Sequence, residues 1–313
     1  MLLVSQYIHH AWNIQFNFYG IDEVFNDLSK KFLFSNTIKL NCSAFFHDCD
    51  KANKTLILSS FRFKIRKDKM WWKHFCQCGN QIGDVFWKMI CKEHHLLEDG
   101  TFVASASKHN DEILLKKIGV YFKESESRAQ QYVPRSVLID TDSGTLDLIR
   151  TSPTGRMFKP DICIYGNTGT NNNWAKGYYT EGEQLIEECV EVVRKEAESC
   201  DSLQGFQLTQ SLGGGTGSGL GALLQKKIKE NFADRMVVNY SVYPSPKVSD
   251  VVVEPYNAIL SIAEIINNDG CFVLDNEALY NIAYNVLKQS KPKYKELNWV
   301  ISLMMAGATS LLR

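Results

Sequence analysis

The stretch that decides the fold is residues 206–219, FQLTQSLGGGTGSG, where a run typical of a strand leads directly into a glycine-rich segment. Residues 206–212 predict the strand, and apolar positions spaced for one helix face predict a helix immediately after it: Leu220, Leu223, Leu224 and Ile228. Glycines allow successive backbone N–H groups to converge on phosphate oxygens, and a helix N-terminus adds unsatisfied donors and a favourable dipole. A flexible linker is the alternative, but linkers seldom occupy so short a strand-to-helix connection. The segment therefore predicts a phosphate-binding site, to which the hydroxyls of Thr216 and Ser218 would contribute.

Around this segment, strand-like and helix-like runs alternate from about residue 71 onward, in the order SVLID, EQLIEECVEVVRKEAES, GFQLTQSL, GLGALLQKKIKENF and RMVVNYSVYP. Such alternation predicts an α/β fold, with an open, mostly parallel sheet of Rossmann type covered by helices on both faces. In the helix predicted at 181–199, the buried face is expected to contain Leu185, Cys189 and Val192. The closing segment, 294–313, is apolar on almost every side and predicts a buried central helix.

Composition limits the class of protein. Lysine plus arginine equals aspartate plus glutamate, 35 of each, so net charge gives no reason to expect a nucleic acid or an anionic membrane as partner. Nine cysteines without regular spacing follow an N-terminus that lacks a secretory signal, which favours a reduced, cytoplasmic location. No apolar run reaches membrane-spanning length. We assign residues 1–70 to a leader without predicted function and 71–313 to one nucleotide-binding domain.

Further polar positions are predicted at strand ends. Asp140 and Asp142 follow the apolar run SVLI, where an open parallel sheet presents its ligand-binding edge. A carboxylate there could hold hydrated Mg²⁺, although a turn acid that merely ends the strand is an equal alternative from position alone. Two more glycine-bearing loops, 78–83 and 166–173, precede helix-like segments. Several such loops indicate one shared ligand.

Other sites are less well supported. The sequence has no P-loop lysine motif. Residues 217–222 match the permissive pattern G-x-G-x-x-A of dinucleotide-binding enzymes. However, the next predicted strand ends at Tyr243 and Pro244 without the acidic residue that would hold a ribose. A zinc cluster is a weak alternative because its candidate ligands lack a usual spacing: Cys76, Cys78, Cys91, His94 and His95. All seven histidines fall at or before His109, so a histidine-dependent nucleophile at the glycine segment is not expected.

Three segments carry a resemblance to a known family: LQGFQLTQSLGGGTGSG (203–219), NNWAKGYYTEG (172–182) and YPSPKVSDVVVEPYNAIL (243–260). They resemble tubulin, in its β form, and the resemblance extends from Gln77 to Arg313. It implies a GTP/GDP site with Mg²⁺, pairing with α-tubulin in microtubules, a cytoplasmic cytoskeletal location, and GTP as the switch of polymer contacts. It also implies a weak GTPase that works only in the assembly, with the catalytic acid supplied by the adjoining α-subunit and no catalytic residue in this chain. The alternative is a non-functional truncated relic, or a faulty gene prediction, of a β-tubulin.

The resemblance also implies roles for individual residues. For GTP these are Gln77, Cys78 and Gln81 in the first loop, Asn172 at the γ-phosphate, and Ser211, Gly213, Gly214, Gly215, Thr216 and Gly217 around the phosphates. Asp250 and Glu254 are expected near the ribose, Asn276 and Asn298 at the guanine edge, Tyr294 stacked on the base, and Asp142 near the metal. Amide side chains suit guanine because they offer both a donor and an acceptor.

The sequence departs from the family pattern at several positions. The motif D-x-E-P-G is replaced by Asp140-Thr141-Asp142-Ser143-Gly144, and Asn171 replaces the glycine before the paired asparagines. Residues 71–76, WWKHFC, replace the first strand and its glycine, so a side chain at Cys76 is expected to crowd the pocket. The intermediate and C-terminal domains of the family have no counterpart in this sequence, so we expect a truncated subunit.

Overall fold

The structure, a computed structural model, describes residues 69–104, 108–125 and 130–310. These residues belong to the unit Lys67–Arg313. The leader assigned to residues 1–70 lies outside the described residues except at its last two positions.

The centre of the fold is a sheet of six strands, all parallel, in the order β5-β4-β1-β6-β7-β8. The strands are β1 (Lys69–Phe75), β4 (Ser136–Asp140), β5 (Cys163–Tyr165), β6 (Leu203–Ser211), β7 (Met236–Tyr243) and β8 (Gly270–Asp275). A separate antiparallel pair is formed by β2 (Phe122–Glu124) and β3 (Tyr132–Pro134). The predicted open, doubly wound α/β sheet is confirmed.

Helices cover both faces of the sheet. They are α1 (Cys76–Glu93), α2 (Lys108–Ile118), α3 (Gly144–Thr151), α4 (Glu181–Glu198), α5 (Gly221–Asn231), α6 (Glu254–Ile265), α7 (Asn276–Asn285) and α8 (Tyr294–Ala308). Apolar residues of α1, α3, α7 and α8 share one core cluster, and those of α4 and α5 form the second core with β6. The burial of both sheet faces explains why the central strands are nearly continuous runs of buried residues.

Strand β1 occupies the centre of the sheet and pairs with both β4 and β6, although its sequence is unusually polar for that position. Trp72 is fully buried and packs its ring against Phe86 at 4.3 Å between centroids. The next two side chains, Lys73 and His74, are also buried. Lys73 Nζ lies 3.9 Å from the ring centroid of Phe206 and has no hydrogen-bond partner among the described residues, so burial lowers its pKa well below the usual value. The polar segment therefore forms the central strand of the sheet at a cost in desolvation.

Three local predictions need correction. The buried face of α4 consists of Ile186, Cys189, Val193 and Ala197. Of the predicted face, Cys189 is buried as expected, whereas Leu185 and Val192 lie at its margin and are only partly buried against the same core. The predicted loop at 78–83 is helical, because α1 already begins at Cys76.

The last helix, α8, buries one face rather than all sides; for example, Trp299 is 39% exposed. Within the described part of the chain, no helix is both long and apolar enough to cross a membrane.

Candidate functional site

The candidate site lies at the carboxyl edge of the sheet, beside β1. From β1 the chain passes to β4 and β5 on one side and then returns to β6, β7 and β8 on the other. The strand order therefore reverses at β1, and such a reversal opens a crevice beyond the carboxyl ends of the strands. The segments that follow these strands begin at Cys76, Thr141, Gly166, Leu212, Pro244 and Asn276. Every predicted loop of the nucleotide site begins at this edge.

The glycine segment is shorter as a loop than predicted. Strand β6 ends at Ser211, and a π-helical turn already begins at Thr216 and leads into α5. Only residues 212–215 form the connection. The backbone N–H groups of Gly214 and Gly215 therefore lie at the start of a helix, where such groups have no acceptor within the helix. Residues 217–222 are buried in helical turns, which leaves no loop for the pyrophosphate of a dinucleotide at the alternative motif.

Two glycines of this connection have different surroundings. A Cβ on Gly215 would lie 2.5 Å from Thr170 Oγ1 and 2.6 Å from the backbone nitrogen of Asn173, so the two loops pack backbone to backbone. A Cβ on Gly214 would meet only Asn172 Oδ1, at 3.9 Å. At Gly215 the connection is therefore packed tightly against the loop after β5, whereas at Gly214 there is free space, with the Asn172 amide beside it.

Three threonine hydroxyls join the loops after β4, β5 and β6. Thr216 Oγ1 lies 2.5 Å from Thr141 Oγ1 and 3.0 Å from Thr170 Oγ1, and all three residues are buried. Ser218, the other predicted hydroxyl donor, instead donates to the backbone oxygen of Gly214. The predicted phosphate hydroxyls are therefore engaged in holding the loops in the structure.

The two predicted acids differ in environment. Asp140 is 5% exposed, and burial is the main reason that the pKa of its carboxyl is raised to about 7. Hydrogen bonds from the backbone N–H groups of Thr141 and Asp142 lower this pKa, whereas the charge of Asp142 raises it. Asp142 is exposed and lies at the mouth of the site, its Cβ 3.9 Å from the position of a Cβ on Gly169.

A magnesium ion fits this arrangement if phosphate oxygens of a bound nucleotide supply most of its ligands other than water. Among the described residues, no group of three or more His, Cys, Asp or Glu side chains could hold a metal by itself. Mg²⁺ commonly keeps several waters and binds through one carboxylate together with substrate phosphates. The exposed carboxylate of Asp142 suits that role, and the zinc cluster considered from the sequence is not formed.

One important residue was missed by sequence reasoning. The Asn257 side chain, on α6, donates to the backbone oxygens of Asn172 and Gly213, both at 2.8 Å, and its Oδ1 accepts the Trp174 backbone N–H at 3.2 Å. Asn257 is 4% exposed. Its position three residues after Glu254 in the helix is the only signal that the sequence offers, and that signal does not reveal what it contacts.

Of the remaining predicted residues, Glu254 packs directly on the glycine connection. A Cβ on Gly213 would lie 3.2 Å from the Glu254 carboxyl carbon, and the Ser249 hydroxyl donates to Glu254 Oε1 at 2.9 Å. Ser211 Oγ accepts the Gly213 backbone N–H at 3.4 Å. Asp250, in the same loop, is exposed.

The residues expected to contact the guanine base lie after β8 in the chain. Asn276 is the first residue of α7 and half-buried, and Tyr294 is the first residue of α8, with 68% of its surface exposed. Asn298 lies one turn later in α8 and is buried. The helix bearing Tyr294 and Asn298 packs on α1, where Ser302 donates to the Ile82 backbone oxygen at 3.2 Å. This packing brings the predicted base residues toward the predicted first loop.

The first loop itself is the N-terminal turn of α1. Gln77 is exposed, Cys78 and Gln81 are half-buried, and burial raises the pKa of the Cys78 thiol. Cys76, the first residue of the helix, is buried and has a left-handed backbone with φ 57°. Asn171 and Asn172 are also left-handed, φ 49° and 56°, a conformation that asparagine tolerates better than most residues. The replacement of a glycine by Asn171 is therefore compatible with the backbone.

Comparison with known proteins agrees with this geometry. Residues 71–284 match the family model described as "Tubulin/FtsZ family, GTPase domain". Over 238 residues, 76% of this chain, the sequence is 54% identical to the tubulin beta-1 chain of Homo sapiens and 52% identical to the tubulin beta chain of Coprinopsis cinerea. It is also 54% identical to the tubulin beta chain of Candida albicans over the same length. The aligned part is 51–52% of those proteins, so the chain spans about half the length of the relatives it matches.

Proposed function

Because this chain belongs to the Tubulin/FtsZ family, through its GTPase domain, we propose that it is a β-tubulin-like subunit that binds GTP or GDP with Mg²⁺. The proposal extends to pairing with α-tubulin in microtubules of the cytoplasmic cytoskeleton, with GTP switching the polymer contacts. The observation that carries it is the junction of loops at Asn257, which joins the glycine connection to the Asn172 loop around an opening at Gly214.

Each predicted residue has a place in this proposal. The phosphates would be held by Ser211, by the segment from Gly213 to Gly217 through its backbone N–H groups, and by Asn172, with Asp142 toward the Mg²⁺. The ribose would face Asp250 and Glu254. The guanine would meet Asn276, Asn298 and the ring of Tyr294, with Gln77, Cys78 and Gln81 closing the site from α1. Bound Mg²⁺ would neutralise phosphate charge, and this chain's residues would position the nucleotide.

No side chain of this chain is assigned a catalytic role. In the proposed function GTP is hydrolysed only when an α-subunit docks and supplies an acid. We therefore expect binding without turnover by the chain alone, and turnover on co-assembly with α-tubulin.

The test of nucleotide binding is competition at equilibrium. A fluorescent GTP analogue is bound to the full chain, and unlabelled GTP, ATP and NAD are added as competitors at several Mg²⁺ concentrations. GTP should compete at least about tenfold better than ATP, since the amides of Asn276 and Asn298 match the guanine edge. Equal competition by ATP, or competition by NAD, would contradict guanine recognition.

A matched pair of variants tests the base-recognising residue. Asn276→Ala should weaken GTP more than it weakens inorganic triphosphate, because the change removes a base contact and leaves the phosphate loops intact. Asn281→Ala, an exposed asparagine on the same helix, is the control and should bind as the parent does. If the two variants bind GTP equally well, the assignment of Asn276 is wrong.

A further inference from the structure

We propose that the Cys76 thiol acts as an internal occupant of the anion-binding end of α1, so that it competes with nucleotide phosphate and sets the affinity of the site. This inference rests on the proposed nucleotide function. It goes beyond that function because it assigns to one side chain of this chain a control over how tightly the site binds.

The backbone at Cys76 is the first observation. Its φ of 57° is a conformation that favours glycine, and a residue with a Cβ adopts it only under strain. Strain of this kind persists only where the surrounding structure determines it. Here Cys76 is the hinge between the central strand β1 and α1, so the chain must turn at this residue and the side chain has little freedom in where it points.

The thiol lies where an anion would be expected. The backbone N–H groups of Gly79, Ser211 and Cys78 act on Cys76 Sγ as donors that lower the pKa of the thiol, against the larger opposite effect of burial. Two of them belong to the first turn of an 18-residue helix, whose N-terminus favours negative charge. The third belongs to the last residue of β6, just beyond the point where β1 ends. Three donors from two elements thus converge on one atom of a side chain.

The thiol also fills the space beside the glycine segment. A Cβ on Gly217 would lie 2.8 Å from Cys76 Sγ and 3.2 Å from the Ser211 backbone nitrogen. Gly217 is buried at the start of the turn that leads into α5. The sulfur therefore lies against Gly217 and the end of β6, both of which the proposed function assigns to the phosphates. In this proposal, phosphate oxygens reach the donors around Cys76 only if the sulfur moves away.

The competition is one of space and hydrogen bonds rather than of charge. Burial, and then the nearby Asp140 carboxylate, raise the pKa of the Cys76 thiol, so it is a neutral group at neutral pH. A neutral thiol is a weak acceptor and a poor substitute for a phosphate oxygen. Removing it frees the donors for a charged ligand, which gains more from them than sulfur does.

The experiment compares four full-length proteins in the fluorescent GTP assay with saturating Mg²⁺: the parent, Cys76→Ala, Cys76→Gly and the control Cys189→Ala. Cys189 is a fully buried thiol in the core beneath α4, away from the site. Cys76→Ala should bind GTP about tenfold or more tightly than the parent, the equivalent of recovering one charge-assisted hydrogen bond. Cys76→Gly should bind at least as tightly, and Cys189→Ala should match the parent. Thermal unfolding of each variant establishes that it is folded.

Three results would overturn the inference. Equal affinity of Cys76→Ala and the parent would show that the thiol does not compete. A gain in Cys76→Gly without one in Cys76→Ala would attribute the effect to backbone strain. Failure of all four folded proteins to bind GTP would refute the proposed function as well, whereas tight parent binding that Cys76→Ala leaves unchanged would refute this inference alone.

Discussion

Replacing His74 should remove a large part of the chain's sensitivity to acid. His74 is fully buried in β1, and burial lowers the pKa of its imidazole from 6.5 to about 3. Its Nε2 accepts a hydrogen bond from the Trp87 indole N–H at 3.1 Å, so the neutral ring is the form that fits. Protonation would place a second N–H against the indole N–H and would break this bond.

The magnitude follows from linkage between protonation and folding. The folded-state pKa lies below the unfolded one, so the unfolded chain binds the proton more readily and stability falls as pH falls below about 6.5. Between pH 7 and pH 5 this one group should remove about 2 kcal/mol from the free energy of unfolding. The loss should continue to about pH 3, below which the folded state is protonated as well.

The assay is urea unfolding followed by tryptophan fluorescence at pH 7, 6 and 5, for the parent and for His74→Gln. Glutamine keeps an acceptor for the Trp87 N–H but does not titrate. The comparison of the two proteins cancels the contribution of the carboxylates, Asp140 included. If the parent and His74→Gln lose the same stability between pH 7 and pH 5, the account of His74 as a buried neutral imidazole is refuted.

Three other changes test the central strand and the site. Lys73→Met should raise the free energy of unfolding by about 1–3 kcal/mol in the same urea assay, because it removes a buried amine without a described hydrogen-bond partner; an equal or lower stability would contradict this. Gly215→Ala should lower GTP affinity about tenfold or more by forcing the glycine connection away from Thr170, and unchanged affinity would show that the loops can separate freely. Asp142→Asn should raise the Mg²⁺ concentration needed for half-maximal GTP binding several-fold, whereas Asp147→Asn, an exposed acid on the neighbouring helix, should leave it unchanged.

Those parts of the fold whose periodicity is strong could be predicted from the sequence. The parallel sheet, the helix after the glycines with Leu220 and Leu224 buried, and the placement of Asp140 at a strand end all follow from local pattern. On α4, Cys189 was placed correctly, but Leu185 and Val192 were predicted to be buried although they pack only at the margin of the stripe that runs through Ile186 and Val193. When apolar residues cover more than one face of a helix, tertiary packing decides which of them is buried.

Central strand β1 could not be predicted from pattern alone. Lysine and histidine in succession contradict the continuous apolar run that a strand buried on both faces should show. Its place is set by pairing with β4 and β6, which is a nonlocal property. The role of Asn257 was hidden for the same reason, since its partners Asn172 and Gly213 are 85 and 44 positions away in sequence.

The three hydrogen bonds of Asn257 have a mechanical consequence. A single amide spans the Asn172 loop, the glycine connection and the start of the turn at Trp174, and it is anchored in α6. The two loops therefore cannot separate without leaving a buried amide group unpaired, which costs about 1–3 kcal/mol. The two loops therefore move as one rigid unit rather than independently. A ligand that binds either loop is also held by the rigidity of the other.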